Sequence, residues 1–167
     1  RALEIKEKHY GKDHPETGTT LGNLGNAFCN LVAPQQAQEL LFRALQINIT
    51  SYGENHSSSY PILTDLGRTF LSLQDLTQAE DYLLSALRIT ESSFGINHLN
   101  ARLTLTSLSD LYFQKKEFER ALEYETRAQK ICQKHFGENH KHTIDSANKI
   151  ERIKESILSN EIRTQSK

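Results

Sequence analysis

At 167 residues, with 20 basic against 21 acidic side chains and a formal charge of −1, the chain lacks the positive footprint of a nucleic-acid binder or a polybasic membrane binder. Its longest apolar runs are a few residues, far short of the roughly 20 that span a bilayer, and no signal-like segment opens it. The balance points to protein partners, with neither nucleic acid nor membrane among them.

The first ten residues, with Ala2, Leu3 and Ile5 apolar, read as the end of a second helix whose partner lies outside this sequence. Together with a start at Arg1 and the absence of methionine, this suggests a piece of a longer protein. Gly11-Lys12-Asp13-His14 then returns as Gly53-Glu54-Asn55-His56, Gly95-Ile96-Asn97-His98 and Gly137-Glu138-Asn139-His140, a period of 42 residues. A fixed period of this size marks stacked supersecondary units, each unable to bury its apolar face without a neighbour.

Within each unit two stripes have helical spacing. Leu21, Leu24, Gly25 and Phe28 align with Leu63, Leu66, Gly67 and Phe70, and with Leu105, Leu108, Ser109 and Tyr112, which predicts a first helix. Ala37, Leu41, Ala44 and Ile47 align with Ala79, Leu83, Ala86 and Ile89, and with Ala121, Glu125, Ala128 and Ile131, which predicts a second. Small residues at Gly25, Ala37 and Ala44 allow the two helices a close approach. Tight turns are expected at Val32-Ala33-Pro34, Gln74-Asp75-Leu76 and Lys115-Lys116-Glu117.

At the corners between units, each glycine is expected in the left-handed conformation, with the following Asp or Asn capping the next helix. Pro15 suits an early helical position, and Pro61 delays its helix to around Ser58 or Ser59. In the last unit Ala147, Ile150, Ile153 and Ile157 form an apolar stripe, with Lys149, Glu151, Lys154 and Glu155 as a solvated face. This reads as a capping helix. The boundaries are then 1–10 for the end of a preceding repeat, 15–52, 57–94 and 99–136 for full repeats, 141–159 for the cap and 160–167 for a frayed tail. The array from 1 to 159 counts as one domain.

The stripe of a large residue, Leu-Gly, an aromatic, then Ala, a large residue and Ala resembles the tetratricopeptide repeat. The 42-residue period and the corner of Tyr or Phe, Gly, any residue, Asp or Asn, and His resemble the kinesin light chain-like subclass. The resemblance implies an all-α, right-handed α-α superhelix of antiparallel helix pairs. Ser109 for glycine and Glu125 for the second-helix large residue depart from it. It also implies that first helices line a concave groove, placing Gly22, Asn26, Cys29 and Asn30 there, with Thr64, Arg68, Leu71 and Ser72. Thr106, Asp110, Phe113 and Gln114 follow in the third unit, and Asn148 and Arg152 on the capping helix.

From these come the expected partner-binding residues: Asn26, Asn30, Arg68, Leu71, Ser72, Asp110, Phe113, Gln114, Asn148 and Arg152. Amide side chains donate to and accept from a peptide backbone, and Arg68 and Arg152 could fork a carboxylate. Leu71 and Phe113 would receive an apolar anchor or pack between adjacent first helices. The chaperone-tail clamp of related arrays needs lysine and asparagine one turn apart, which Gly22 and Asn26 do not supply. Kinesin light chains bind cargo peptides with tryptophan among acidic residues, and their Asn-Leu is kept only at Asn23-Leu24.

Seven histidines, His9, His14, His56, His98, His135, His140 and His142, suggest metal binding, but copies one repeat apart cannot share an ion with ligands about 2 Å away. They read as structural, and no metal or cofactor is expected. Cys29 and Cys132 fall on a first and a second helix, so no disulfide is expected and a reducing, cytoplasmic setting is implied. No phosphate loop, nucleophile elbow or zinc-protease helix occurs, so no catalytic residue is expected. The leading functional expectation is a non-enzymatic scaffold holding a partner peptide. The alternative is a regulatory or assembly segment of a larger signalling enzyme or nucleotide-binding protein. Self-association through the open ends of the solenoid is a third.

Overall fold

The computed structural model describes residues 1–31 and 33–165, and among them the secondary structure is helical throughout. Helices α1 (Ala2–Tyr10), α2 (Pro15–Asn30), α3 (Pro34–Tyr52), α4 (Tyr60–Ser72) and α5 (Leu76–Phe94) are followed by α6 (Arg102–Gln114), α7 (Phe118–Phe136) and α8 (Lys141–Gln165). Two short 3₁₀ turns, Ser57–Ser59 and Leu99–Ala101, precede α4 and α6. The chain forms two compact units, Arg1–Ser93 and Phe94–Lys167. The expected turn residue Val32 and the last residues of the expected tail, Ser166 and Lys167, lie outside the described residues.

In the first unit α2 and α3 run antiparallel, with Gly18 against Ile47 and Gly25 against Leu41. In α4 and α5, Gly67 meets Leu83, and Leu63 joins Ala86 and Ile89 in one apolar cluster with Leu45, Tyr60 and Tyr82. Leu21, Leu41, Leu66 and Leu83 are fully buried, which supplies the burial that neither helix of a pair could obtain alone. In the second unit Leu105, Leu108, Leu111 and Tyr112 of α6 pack away from solvent, with Ala121, Ala128 and Ile131 of α7 and Ile150 and Ile153 of α8. Phe70 stacks on Tyr82 at 5.4 Å between ring centroids, and Tyr112 on Tyr124 at the same spacing, so each unit carries the same offset aromatic pair.

The corners differ from expectation in two respects. Gly11, Gly53, Gly95 and Gly137 have φ between +84° and +97°, but Gly53 has ψ 164° and Gly137 ψ 171°. That is the extended, positive-φ region open essentially to glycine alone rather than the left-handed helical one. The N-cap is the histidine, not the Asp or Asn before it. The Nδ1 atoms of His14, His56, His98 and His140 each accept the backbone N–H two residues on, all at 3.2 Å. An imidazole reaches as far as an Asn side chain, and here each ring is also stacked on the aromatic that ends the previous helix: Tyr10, Tyr52, Phe94 and Phe136 at 4.5–5.1 Å. The stack fixes the ring with Nδ1 facing the first turn, so the capping position moves one residue along.

The late start of α4 is not a property of Pro61 alone, because α6 has the same 3₁₀ lead-in without a proline. Thr17 and Thr143 donate their hydroxyls to the carbonyls of Gly11 and Gly137, and there the α-helix begins at once. Ser59 and Ala101 occupy that position in the other two copies, and the His56 and His98 amides take the glycine carbonyls at 3.4 and 3.2 Å. Ser59 Oγ is left buried without a hydrogen-bond partner among the described residues.

Gln74 and Lys116, equivalent residues of two hairpin turns, have φ of 62° and 63°. A side chain there costs about 1 kcal/mol relative to glycine. Gln74→Gly is expected to raise stability by about that amount in urea denaturation, after allowance for the lost Gln74 bond to the Leu71 carbonyl. A destabilised variant would show that this bond outweighs the backbone strain. At the other end α8 continues past the expected stop at residue 159 to Gln165. Ser156 and Ser159 hydroxyls return to carbonyls one turn back, and no glycine or proline interrupts the run.

Candidate functional site: two clefts on the first-helix faces

In the first unit α2 and α4 stand side by side over α3, and between them lies a cleft of about 500 Å³ lined by Gly22, Asn23, Asn26, Tyr52, Ile62 and Asp65. Gly22 lines it without a side chain, and a Cβ there would come no nearer than 3.5 Å to Ile62. Two of the lining residues, Asn26 and Asp65, belong to a closed ring of side chains. Asn30 Nδ2 donates to Asn26 Oδ1 at 3.3 Å, and Asn26 Nδ2 donates to both Asp65 oxygens at 2.9 and 2.8 Å. Arg68 then donates from Nη1 to Asp65 and from Nη2 to the Asn30 side-chain oxygen, both at 2.9 Å. Each member fixes the orientation of the next, as in any fully connected polar network.

Three expected site residues therefore sit together, Asn26, Asn30 and Arg68, but Arg68 already has a carboxylate. The fork expected for a partner is engaged by Asp65, a residue that sequence reasoning passed over because it stands where Asn23 stands in the first repeat. Leu71 is only 7% exposed, which selects packing over an anchor pocket, and Ser72 Oγ bonds to the Arg68 carbonyl. Cys29 bonds to Thr69 Oγ1 at 2.9 Å. Burial pushes its thiol above the usual range, so it is a poor source of thiolate.

Burial also raises the Asp65 carboxyl above its ordinary value, and the bonds from Asn26 and the charge of Arg68 only partly oppose this. The sign follows from proton counting. Between the unfolded and the raised folded pKa the folded chain binds more protons, so this group's contribution to stability falls as pH rises through that window. Stability of Asp65→Asn relative to the parent, measured by urea denaturation across the acid range, is expected to improve with rising pH and then level off. A flat difference would mean that the ring compensates fully for burial.

The second unit repeats the arrangement with different chemistry. Lys149 of α8 reaches Asp110 Oδ1 at 2.7 Å, Glu125 Oε2 at 2.8 Å and the Thr106 carbonyl at 3.0 Å. Glu125, 1% exposed, also takes the Ser146 hydroxyl. The charge expected on a solvated face of α8 thus points inward at Lys149, and Asp110 is occupied by it. The amides Gln114 and Asn148 are exposed on α6 and α8. Phe113 and Arg152 meet at a separate pocket of about 530 Å³, with Lys116 from the turn, Phe118 from the start of α7 and Ser156 further along α8. His140 and His142 lie 5.1 Å apart between ring centroids beside Phe136, and no group of three or more metal-ligating side chains occurs among the described residues. Both cysteines are free, and no helix among the described residues is long and apolar enough to cross a membrane.

Antiparallel helix pairs that meet through a Gly–Leu contact and a fixed aromatic pair have the tetratricopeptide-repeat fold. Residues 58–134 match the tetratricopeptide repeat family. The structure is similar to that of a kinesin light chain-type protein from Podosopora anserina with nearly identical TPR-like repeats, at a TM-score of 0.76 and 18% identity over 86% of this chain and 68% of that one. A substituted variant of the same protein aligns at 0.74 and 18%, covering 98% and 77%. BtubC (BKLC) from P. vanneervenii aligns at 0.71 and 20%, covering 99% and 70%. No curated protein matches in sequence. At these identities the likeness to solved structures is one of fold.

Proposed function

We propose that this chain is a non-enzymatic scaffold module that holds an extended peptide of a partner protein against its first helices. The observation that carries this reading is the cleft between α2 and α4, where a wall of amides and a carboxylate is set in place by its own hydrogen-bond ring. Orientation is fixed before a guest arrives, so less freedom is lost on binding. Exposed Asn23, lining the same cleft, offers a donor pair and an acceptor to a peptide backbone. A cytoplasmic setting belongs to the same reading, since both thiols are free.

Gly22→Arg would fill the cleft, its Cβ standing in ordinary contact with Ile62 at 3.5 Å and its longer end reaching into the open space. Affinity purification of a partner is expected to succeed with the parent chain and fail with this variant, at unchanged helix content by circular dichroism. Equal recovery by the two proteins would remove the cleft from the reading.

A further inference from the structure

Phe113 at the end of α6 and Phe118 at the start of α7 stand edge to face, 5.3 Å between centroids, and both are half-buried. They form the apolar wall of the 530 Å³ pocket, a size within the roughly 300–1,000 Å³ of small-ligand sites. The charges around this pocket are used unevenly. Lys115 and Arg120 both pair with Glu117, Lys154 pairs with Glu151, and Lys149 is held by Asp110 and Glu125. Lys116 and Arg152, the two cations that line the pocket, are exposed and have no carboxylate partner among the described residues. Glu155 lies on the same rim and forms no ion pair with either.

We propose that this pocket binds a phosphorylated tyrosine side chain, its ring against Phe113 and Phe118 and its phosphate between Lys116 and Arg152. The peptide-binding reading enters only as the source of that tyrosine. An aromatic ring matches the phenylalanine wall through edge and offset contacts. A phosphate carries close to two negative charges and three acceptor oxygens, enough for a guanidinium fork and an ammonium together. A carboxylate would bring one negative charge and two oxygens against two cations, and a phosphoserine would leave the rings uncovered. Glu155 opposes the anion, which makes it a diagnostic position.

Phenyl phosphate titrated into the whole chain and followed by amide NMR tests the site. The expected result is a millimolar or tighter interaction shifting residues around Phe113 and Phe118, with inorganic phosphate and phenylacetate each about tenfold weaker. Arg152→Gln and Lys116→Asn are each expected to weaken it about tenfold, asparagine being chosen because it tolerates the positive φ at 116. Glu155→Gln is expected to tighten it severalfold. Equal response to inorganic phosphate, or no effect of Arg152→Gln, would overturn the assignment. Phenyl phosphate bound as expected alongside a Gly22→Arg variant that still captures partner would leave this pocket standing and refute the α2–α4 cleft; the reverse pattern would do the opposite.

Discussion

Lys149→Ala is expected to destabilise the second unit by about 3 kcal/mol, with the loss concentrated in α8. Glu125 is 1% exposed and stands where Leu41 and Leu83 stand in the two earlier repeats. Removing the ammonium leaves a buried carboxylate with only the Ser146 hydroxyl, and breaking a buried pair from one side costs about 3–5 kcal/mol. Lys149 is 20% exposed at its side chain, which places the expectation at the lower end of that range. Replacing the whole arrangement is a different experiment. Ser109→Gly with Glu125→Leu and Lys149→Met would rebuild the apolar contact of the other repeats, and the triple variant is expected to match or exceed the parent by about 1–4 kcal/mol. Urea denaturation gives the totals, and native-state hydrogen exchange reports whether α8 opens separately. A Lys149→Ala protein within about 0.5 kcal/mol of the parent would show that water or Ser146 satisfies Glu125 unaided.

The repeat itself was legible because period and stripe are one-dimensional signals. Leu21, Leu63 and Leu105 recur at fixed spacing, and each is buried. The histidine caps were half legible: recurrence marked His14, His56, His98 and His140 as structural, but only geometry shows the ring on its aromatic neighbour with Nδ1 facing the helix. The polar faces were least legible. Asp65 and Lys149 occupy one register with Asn23 and Ser107, and nothing in a single side chain says which neighbour it will meet across two helices. Asn26, Asn30 and Arg68 are expected from sequence to face a partner, and in the fold they bond to one another through Asp65. Ser109 and Glu125 looked like two separate departures from the repeat. They fall at one contact, since Gly67 and Leu83, their counterparts in the preceding repeat, face each other so closely that a Cβ at the first would meet the second inside contact distance.

That coupling sets the remaining large effect. A Cβ on Gly67 would fall far inside contact distance of Leu83 Cγ and 2.7 Å from its Cδ2, with the Ala79 carbonyl at 3.3 Å. Alanine gains about 1 kcal/mol over glycine in helix propensity, but overpacking costs about 1–3 kcal/mol, and two atoms this close force Leu83 or its helix to shift. Gly67→Ala is therefore expected to destabilise the first unit by about 1–2 kcal/mol, and Leu83→Ala, which opens a cavity at a fully buried position, by about 2–5 kcal/mol. In the double variant the new methyl occupies part of the space the leucine leaves, so the pair is expected to cost less than Leu83→Ala alone. The double-mutant cycle should return a coupling of about 1–3 kcal/mol in the favourable direction, as suits residues in direct contact. Additive effects would mean that α4 moves away from α5 to admit the methyl, and that glycine at this position is not what brings the two helices together.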